Sequence, residues 1–92
     1  MIELKATCES LTQAQELLAV GVDTLVFGEE MFGLRLPADF SREEQRELVE
    51  VIHAAGKTAE VAVNGIMHPE KMQRLPEYLA FLKEIAVDRV LV

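Results

Sequence analysis

Two loop-type stretches of this chain carry the side chains best suited to chemistry. The first, Gly28-Glu29-Glu30-Met31-Phe32-Gly33-Leu34-Arg35-Leu36-Pro37-Ala38-Asp39-Phe40, holds Glu29, Glu30 and Arg35; the second, Asn64-Gly65-Ile66-Met67-His68-Pro69, holds Asn64 and His68. Arg35 lies between apolar neighbours. A guanidinium so placed forks onto a carboxylate or phosphate of a ligand, or else pairs internally with Glu29, Glu30 or Asp39. Of the adjacent carboxylates, Glu30 is the candidate acid/base group and Glu29 the candidate contact to substrate or a cation; the bland alternative is one solvated and one structural carboxylate. His68 is the candidate proton-transfer residue, because an imidazole titrates near neutral pH. Asn64 would fix a polar substrate group, and both residues alternatively serve the entry of a helix.

Other reactive types are weaker candidates. Cys8 follows the first strand-like run without a surrounding Cys/His signature, and a small buried thiol is the commoner role. His53 falls beside an apolar helical stripe and reads as a packed or surface histidine. Met31, Met67 and Met72 read as fillers of loop and core gaps. Neither a glycine-rich phosphate motif nor a serine-nucleophile elbow occurs, and no Cys/His cluster has metal spacing, so no metal site is expected.

The elements that must position these loops repeat as strand, loop, helix. Ser10-Leu11-Thr12-Gln13 and Ser41-Arg42-Glu43-Glu44 have the spacing of capping boxes, predicting helices from Ser10 to Gly21 and from Ser41 to Gly56. Their inward stripes are Leu11, Ala14, Leu17 and Leu18, and Leu48, Val49, Ile52 and Ala55. A third helix is expected from about Pro76 to Ala86 with Tyr78, Leu79, Leu82 and Ile85 inward, and Pro69 opening a short preceding turn. Strands are expected at Ile2 to Thr7, Asp23 to Phe27, Lys57 to Val63 and Asp88 to Val92.

Two strands are entered through similar turns, Gly21-Val22-Asp23 and Ala86-Val87-Asp88. Such alternation implies right-handed crossovers and a parallel sheet, whose loops after the carboxyl ends of strands carry function. The stretch from Gly28 to Phe40 spans thirteen residues, where strand-to-helix loops usually take about 2–6. Its Leu, Met and Phe content argues for a functional loop over a disordered one. Glu3, Lys5 and Thr7 share one strand face, as do Thr58, Glu60, Ala62 and Asn64. That polarity reads as a charge-paired barrel lumen with Lys5 opposite Glu60, or as the solvated face of an open half-sheet.

Composition sets the bounds. The chain has 92 residues, 50% hydrophobic and 27% charged, with nine Lys and Arg against sixteen Asp and Glu for a net charge of −7. One small unit with a thin core is expected, and the surface as a whole repels polyanions, so a nucleic-acid partner needs a local patch. A single cysteine gives no internal disulfide and fits the reducing cytoplasm. No stretch approaches the roughly 18 apolar residues of a membrane span, and the start lacks the pattern of a signal peptide.

The run Gly28 to Leu36, closing with Asp39-Phe40-Ser41-Arg42-Glu43, resembles the opening of the collagenase-like peptidases, family U32. So does Gly56-Lys57 leading into Val61-Ala62-Val63-Asn64, followed by His68 and Pro76-Glu77-Tyr78-Leu79. The resemblance implies an α/β fold, parallel βαβαβαβ, the amino-terminal half of a (β/α)8 TIM-type barrel several times longer than this chain. It implies a whole protein that is a peptidase or a relative that hydroxylates tRNA bases, rRNA bases or quinone precursors, acting on peptide or RNA. Longer relatives carry an iron–sulfur cluster on downstream cysteines; none is expected in this segment. Arg35, Asn64 and His68 match positions on the implied active-site rim. The segment alone is expected to be inactive. The competing expectation is a non-catalytic half-barrel that oligomerises through its free sheet edges, in place of a missing carboxyl-terminal half.

Overall fold

Helix starts and stops are written locally, and the computed structural model, which describes residues 2–28, 40–63 and 69–91, shows the devices that make them. The elements are β1 (Lys5–Thr7), α1 (Leu11–Ala19), β2 (Thr24–Phe27), α2 (Arg42–Ala54), β3 (Thr58–Ala62), α3 (Pro69–Glu84) and β4 (Arg89–Leu91). Ser41 caps α2 with a complete capping box: its Oγ accepts from Glu44 N–H at 3.1 Å and its own N–H donates to Glu44 Oε1 at 3.0 Å. At α1 only half of that box forms. Ser10 Oγ accepts from Gln13 N–H at 3.0 Å, but the Gln13 side-chain carbonyl takes the N–H of Glu9 instead of Ser10.

All three helices stop in the same way. The residue after each carboxyl cap has positive φ: Gly21 at 101°, Gly56 at 72° and Ala86 at 64°. Its N–H bonds the carbonyl three residues back (Leu18, His53, Lys83), and the next N–H reaches five back (Leu17, Ile52, Leu82). This paired pattern satisfies carbonyls that a helix end leaves open and turns the chain into the following strand.

The four strands form one parallel sheet in the order β1-β2-β3-β4, with Lys5 level with Thr24, Thr24 with Thr58, and Glu60 with both Val26 and Arg89. With its alternating helices this is the βαβαβαβ half-barrel expected from the sequence. One sheet face carries Leu25, Phe27, Ala59, Val61 and Val63 into the core, where they meet Ala14 of α1, Leu48, Val49 and Ile52 of α2, Tyr78, Phe81 and Leu82 of α3, and Ile85 just past its end. Among the described residues no helix is long and apolar enough to cross a membrane.

Several expectations need correction. The third helix is one continuous rod from Pro69, so Pro76 lies inside it and not in its first turn. A proline there forfeits one helical hydrogen bond; the position is exposed, where water can take the orphaned carbonyl. On the same helix Leu79 is 41% exposed and Phe81 is buried in its place. Ala55 is the exposed cap of α2, not part of its buried stripe. Met72 is exposed and fills no gap. All four strands are shorter than expected, because pairing begins only where neighbours overlap. The apolar run of β2 is buried throughout, whereas Val90 and Leu91 of β4 are 40% and 44% exposed, since β4 is the last strand of the sheet.

Candidate functional site

Loops at the carboxyl ends of the strands begin from firm ground. After β2, the Phe40 N–H donates to the Gly28 carbonyl at 3.3 Å, which brings together the two ends of the long loop. Phe40 is buried and meets the Phe27 ring edge-on, centroids 6.3 Å apart and planes at 85°. Its carbonyl accepts from Gln45 Nε2 at 3.1 Å, and Gln45 Oε1 in turn accepts from the Tyr78 hydroxyl at 2.7 Å. Gln45 and Tyr78 are both fully buried. Three elements are thereby locked to one neck: the end of β2, the start of α2 and the middle of α3. Above them Arg42 lies over the Tyr78 and Phe81 rings at 5.3 and 5.2 Å, a cation–π arrangement at the entrance to α2.

Glu29, Glu30, Arg35, Asn64 and His68 lie outside the described residues, so what the fold supplies for them is their anchorage. Arg35 and the two glutamates belong to the segment closed by the Gly28–Phe40 bond. Asn64 and His68 belong to the segment between Val63, whose N–H donates to the Leu91 carbonyl at 2.7 Å, and the start of α3. Both segments therefore open from the carboxyl edge of the sheet, the functional side of a parallel α/β fold.

Cys8, at the same edge, is completely buried, and burial pushes its thiol up to about 11. It is a protonated packing group at neutral pH, not a nucleophile. Iron–sulfur ligation takes four cysteine thiolates, so this chain, with Cys8 alone, does not fit a cluster. Among the described residues no group of three or more His, Cys, Asp or Glu is gathered to hold a metal ion.

The face of the sheet opposite the helices is polar and ion-paired. Lys5 Nζ donates to Glu60 Oε1 at 3.2 Å, the pair the strand alternation suggested. Arg89 joins them: its Nε is 3.4 Å from Glu60 Oε1, and its Nη2 donates to Thr24 Oγ1 and Glu3 Oε2, each at 3.0 Å. Glu60 is 4% exposed and Thr24 fully buried.

At the amino ends of the strands two aspartates act as braces. Asp23 Oδ2 accepts the Leu4 N–H at 2.9 Å while Oδ1 lies 3.3 Å from Lys57 Nζ. Asp88 Oδ2 accepts the Ala59 N–H and meets His53 Nε2, both at 2.8 Å. His53, set aside as packed or superficial, is thus a tie between α2 and the start of β4. The Leu4 N–H and Lys57 hold the Asp23 carboxyl below its usual range. For Asp88 partial burial works upward, but the Ala59 N–H, His53 and Arg89 outweigh it and the net direction is down.

Gln45 and Arg89 were missed in the sequence. Gln45 stands at helical spacing with Leu48, Val49 and Ile52, so its inward direction was readable and only its polarity concealed it. Nothing in the local pattern around Arg89 announces a partner in β2 or β3.

The family model of peptidase family U32 matches residues 9–92. A protein of Bacillus subtilis (strain 168) named tRNA hydroxylation protein P2 is 43% identical over 86 residues, covering 94% of this chain and 28% of that protein. A solved structure described as the U32 peptidase Mk0906 superposes with a TM-score of 0.76 at 19% identity, over 98% of this chain and 40% of that one. That likeness speaks for the fold. The chain spans less than a third of the length of the curated relative it matches.

Proposed function

The chain belongs to peptidase family U32, and from that premise we propose that it is the amino-terminal portion of a protein that takes part in hydroxylation of tRNA. The single observation that carries this reading is the 43% identity to the Bacillus subtilis tRNA hydroxylation protein. The peptidase description comes from a structure only 19% identical and weighs less for chemistry. Within the whole protein this portion supplies one wall of the site through its two carboxyl-edge loops. Arg35 holds an anionic group, which suits a nucleic-acid phosphate. Asn64 and Glu29 orient the substrate, and His68 and Glu30 move protons. The net charge of −7 describes this portion only and leaves room for a basic surface elsewhere.

The test replaces the matching segment of the full-length Bacillus subtilis protein with this chain and expresses the chimera in cells lacking that protein. Mass spectrometry of digested tRNA should show the hydroxylated nucleoside restored, and the isolated chain should give none. A folded chimera that restores nothing yet hydrolyses peptides would transfer the reading to the peptidase side of the family.

A second reading is favoured by the exposure of Val90 and Leu91 on the outermost strand β4. Unpaired apolar edges recruit further strands, so the chain acts as a half-barrel that assembles with another copy.

A further inference from the structure

A crossover helix packs back onto the two strands it joins. Among the described residues α1, α2 and α3 each connect neighbouring strands of the order β1-β2-β3-β4, so every internal seam of the sheet has its helix. The flanks of the helix layer have none. Val90 of β4 is level with Val61, a core residue on the helix side, yet Val90 is exposed. With Leu79, Leu82, Lys83 and Val87 it lines an apolar groove of about 190 Å³ between α3 and β4. At the other edge Ala6 of β1 is level with Leu25 and packs on the core, whereas Leu4 and Ile2, which precede it in alternation, are exposed.

We propose that the groove beside β4 is the seat of the helix that follows β4 in the whole protein, filled by large aliphatic side chains from one stripe of that helix. Parallel connections of this kind are right-handed, so the one after β4 turns as those before it and sets its helix on the same face, against α3 and Val90. Length supplies the occupant: this chain accounts for 28% of the curated relative it matches and 40% of the solved structure it superposes on. A strand added to β4 would satisfy the backbone edge and leave Leu79 and Val90 bare. A second copy fits no better. With β4 of one copy beside β1 of the other, the new seam brings Val90 and Leu79 toward the uncovered Leu4 and Ile2, and neither copy has a helix to lay across it. The placement rests on reading the chain as the amino-terminal portion of a longer barrel, and the experiment separates the two.

Leu79→Gln and Val90→Thr keep helix and strand propensity while making the groove polar. They are made in the isolated chain and in the chimera with the full-length Bacillus subtilis protein. In the isolated chain both positions are exposed, and the melting midpoint should move by less than about 2 °C. In the chimera each variant should lower it by about 4 °C or more, because an amide or hydroxyl is then buried against apolar side chains. A second measurement needs no substitution: a photoreactive diazirine coupled to the Lys83 amine of the chimera should capture a peptide from the first helix after β4. Capture of a later segment or of another copy gives the groove a different occupant and overturns the proposal. Small shifts in a chimera that melts in one transition mean that the groove stays open, which overturns the proposal and leaves the longer barrel standing. A chimera whose grafted portion melts separately from the rest overturns the longer-barrel reading itself. If the isolated chain's midpoint falls on dilution and is as sensitive to Leu79→Gln as the chimera's, the occupant is a second copy and the assignment to the next helix is wrong.

Discussion

Ala86 adopts at the end of α3 the left-handed backbone that Gly21 adopts at the end of α1, with φ of 64° and 101°. Both then launch a valine and a brace aspartate, Val22-Asp23 and Val87-Asp88, into the next strand. The difference is the methyl group of Ala86, which is strained in that conformation by about 1–2 kcal/mol. Ala86→Gly should therefore raise stability, the gain reduced to about 0.5–1 kcal/mol by the greater freedom of glycine in the unfolded chain. Urea unfolding measures it, and a loss of stability would show that the turn needs the methyl. The converse, Gly21→Ala, should cost about 1 kcal/mol through backbone strain alone, since a Cβ there would meet nothing within 4 Å.

Tyr78→Phe takes away the hydroxyl that donates to Gln45 Oε1 at 2.7 Å. Removing one partner of a buried pair costs about 1–3 kcal/mol. Because Gln45 also holds the Phe40 carbonyl, the loss should reach the loop neck. Hydrogen exchange at the Phe40 amide should accelerate more than that at Val61 in the sheet. Equal acceleration at both would mean that the clamp stabilises the whole core and not the neck.

Acid should remove the two braces. Asp23 and Asp88 are held below the ordinary carboxylate range in the folded chain. The unfolded chain therefore binds their protons more readily, and their stabilisation is present above about pH 4 and lost as pH falls through the folded values. The double substitution Asp23→Asn and Asp88→Asn should lower the melting temperature at pH 7, and the gap to the wild type should narrow as acid takes the pH down through the folded values. A gap that persists unchanged at pH 2 would exclude the charge of these groups as its source.

Arg35→Ala in the chimera should reduce tRNA hydroxylation several-fold or more, the scale of a lost charge-assisted hydrogen bond. Its melting temperature should stay that of the parent chimera. Unchanged nucleoside yield would remove Arg35 from the site and leave it as an internal partner of the loop's own carboxylates.

The assembly reading predicts a light-scattering mass above that of the 10.3 kDa monomer at micromolar concentration. The shallow surface lined by Leu79, Leu82, Val87 and Val90 beside the last strand is where added chain would pack. A monomer mass across that range would dispose of this reading for the isolated chain.

Much of the frame is legible in the sequence, because its signals are local. The Ser41 box, the glycines after α1 and α2, and the alternation that set Lys5 against Glu60 each need only a few consecutive residues. What escaped depends on residues far apart in the chain. Pro76 looked like a helix start because the solvent that excuses an interior proline cannot be seen in the sequence. Leu79 and Phe81 exchanged places because the direction of α3 is set by the sheet it crosses. Arg89 reaches Glu3 across 86 positions, a contact no window of sequence contains. For the candidate site, the carboxyl edge of the sheet from which its two segments leave was legible, while Gln45, which bonds the Phe40 carbonyl, was hidden among the aliphatic residues of its stripe.

The bond between the Phe40 amide and the Gly28 carbonyl acts as a gauge. Phe27 against the Phe40 ring, and Gln45 with Tyr78 on the Phe40 carbonyl, fix both ends of that gauge to the core, so the spacing at which the chain leaves β2 and rejoins α2 is set by the scaffold.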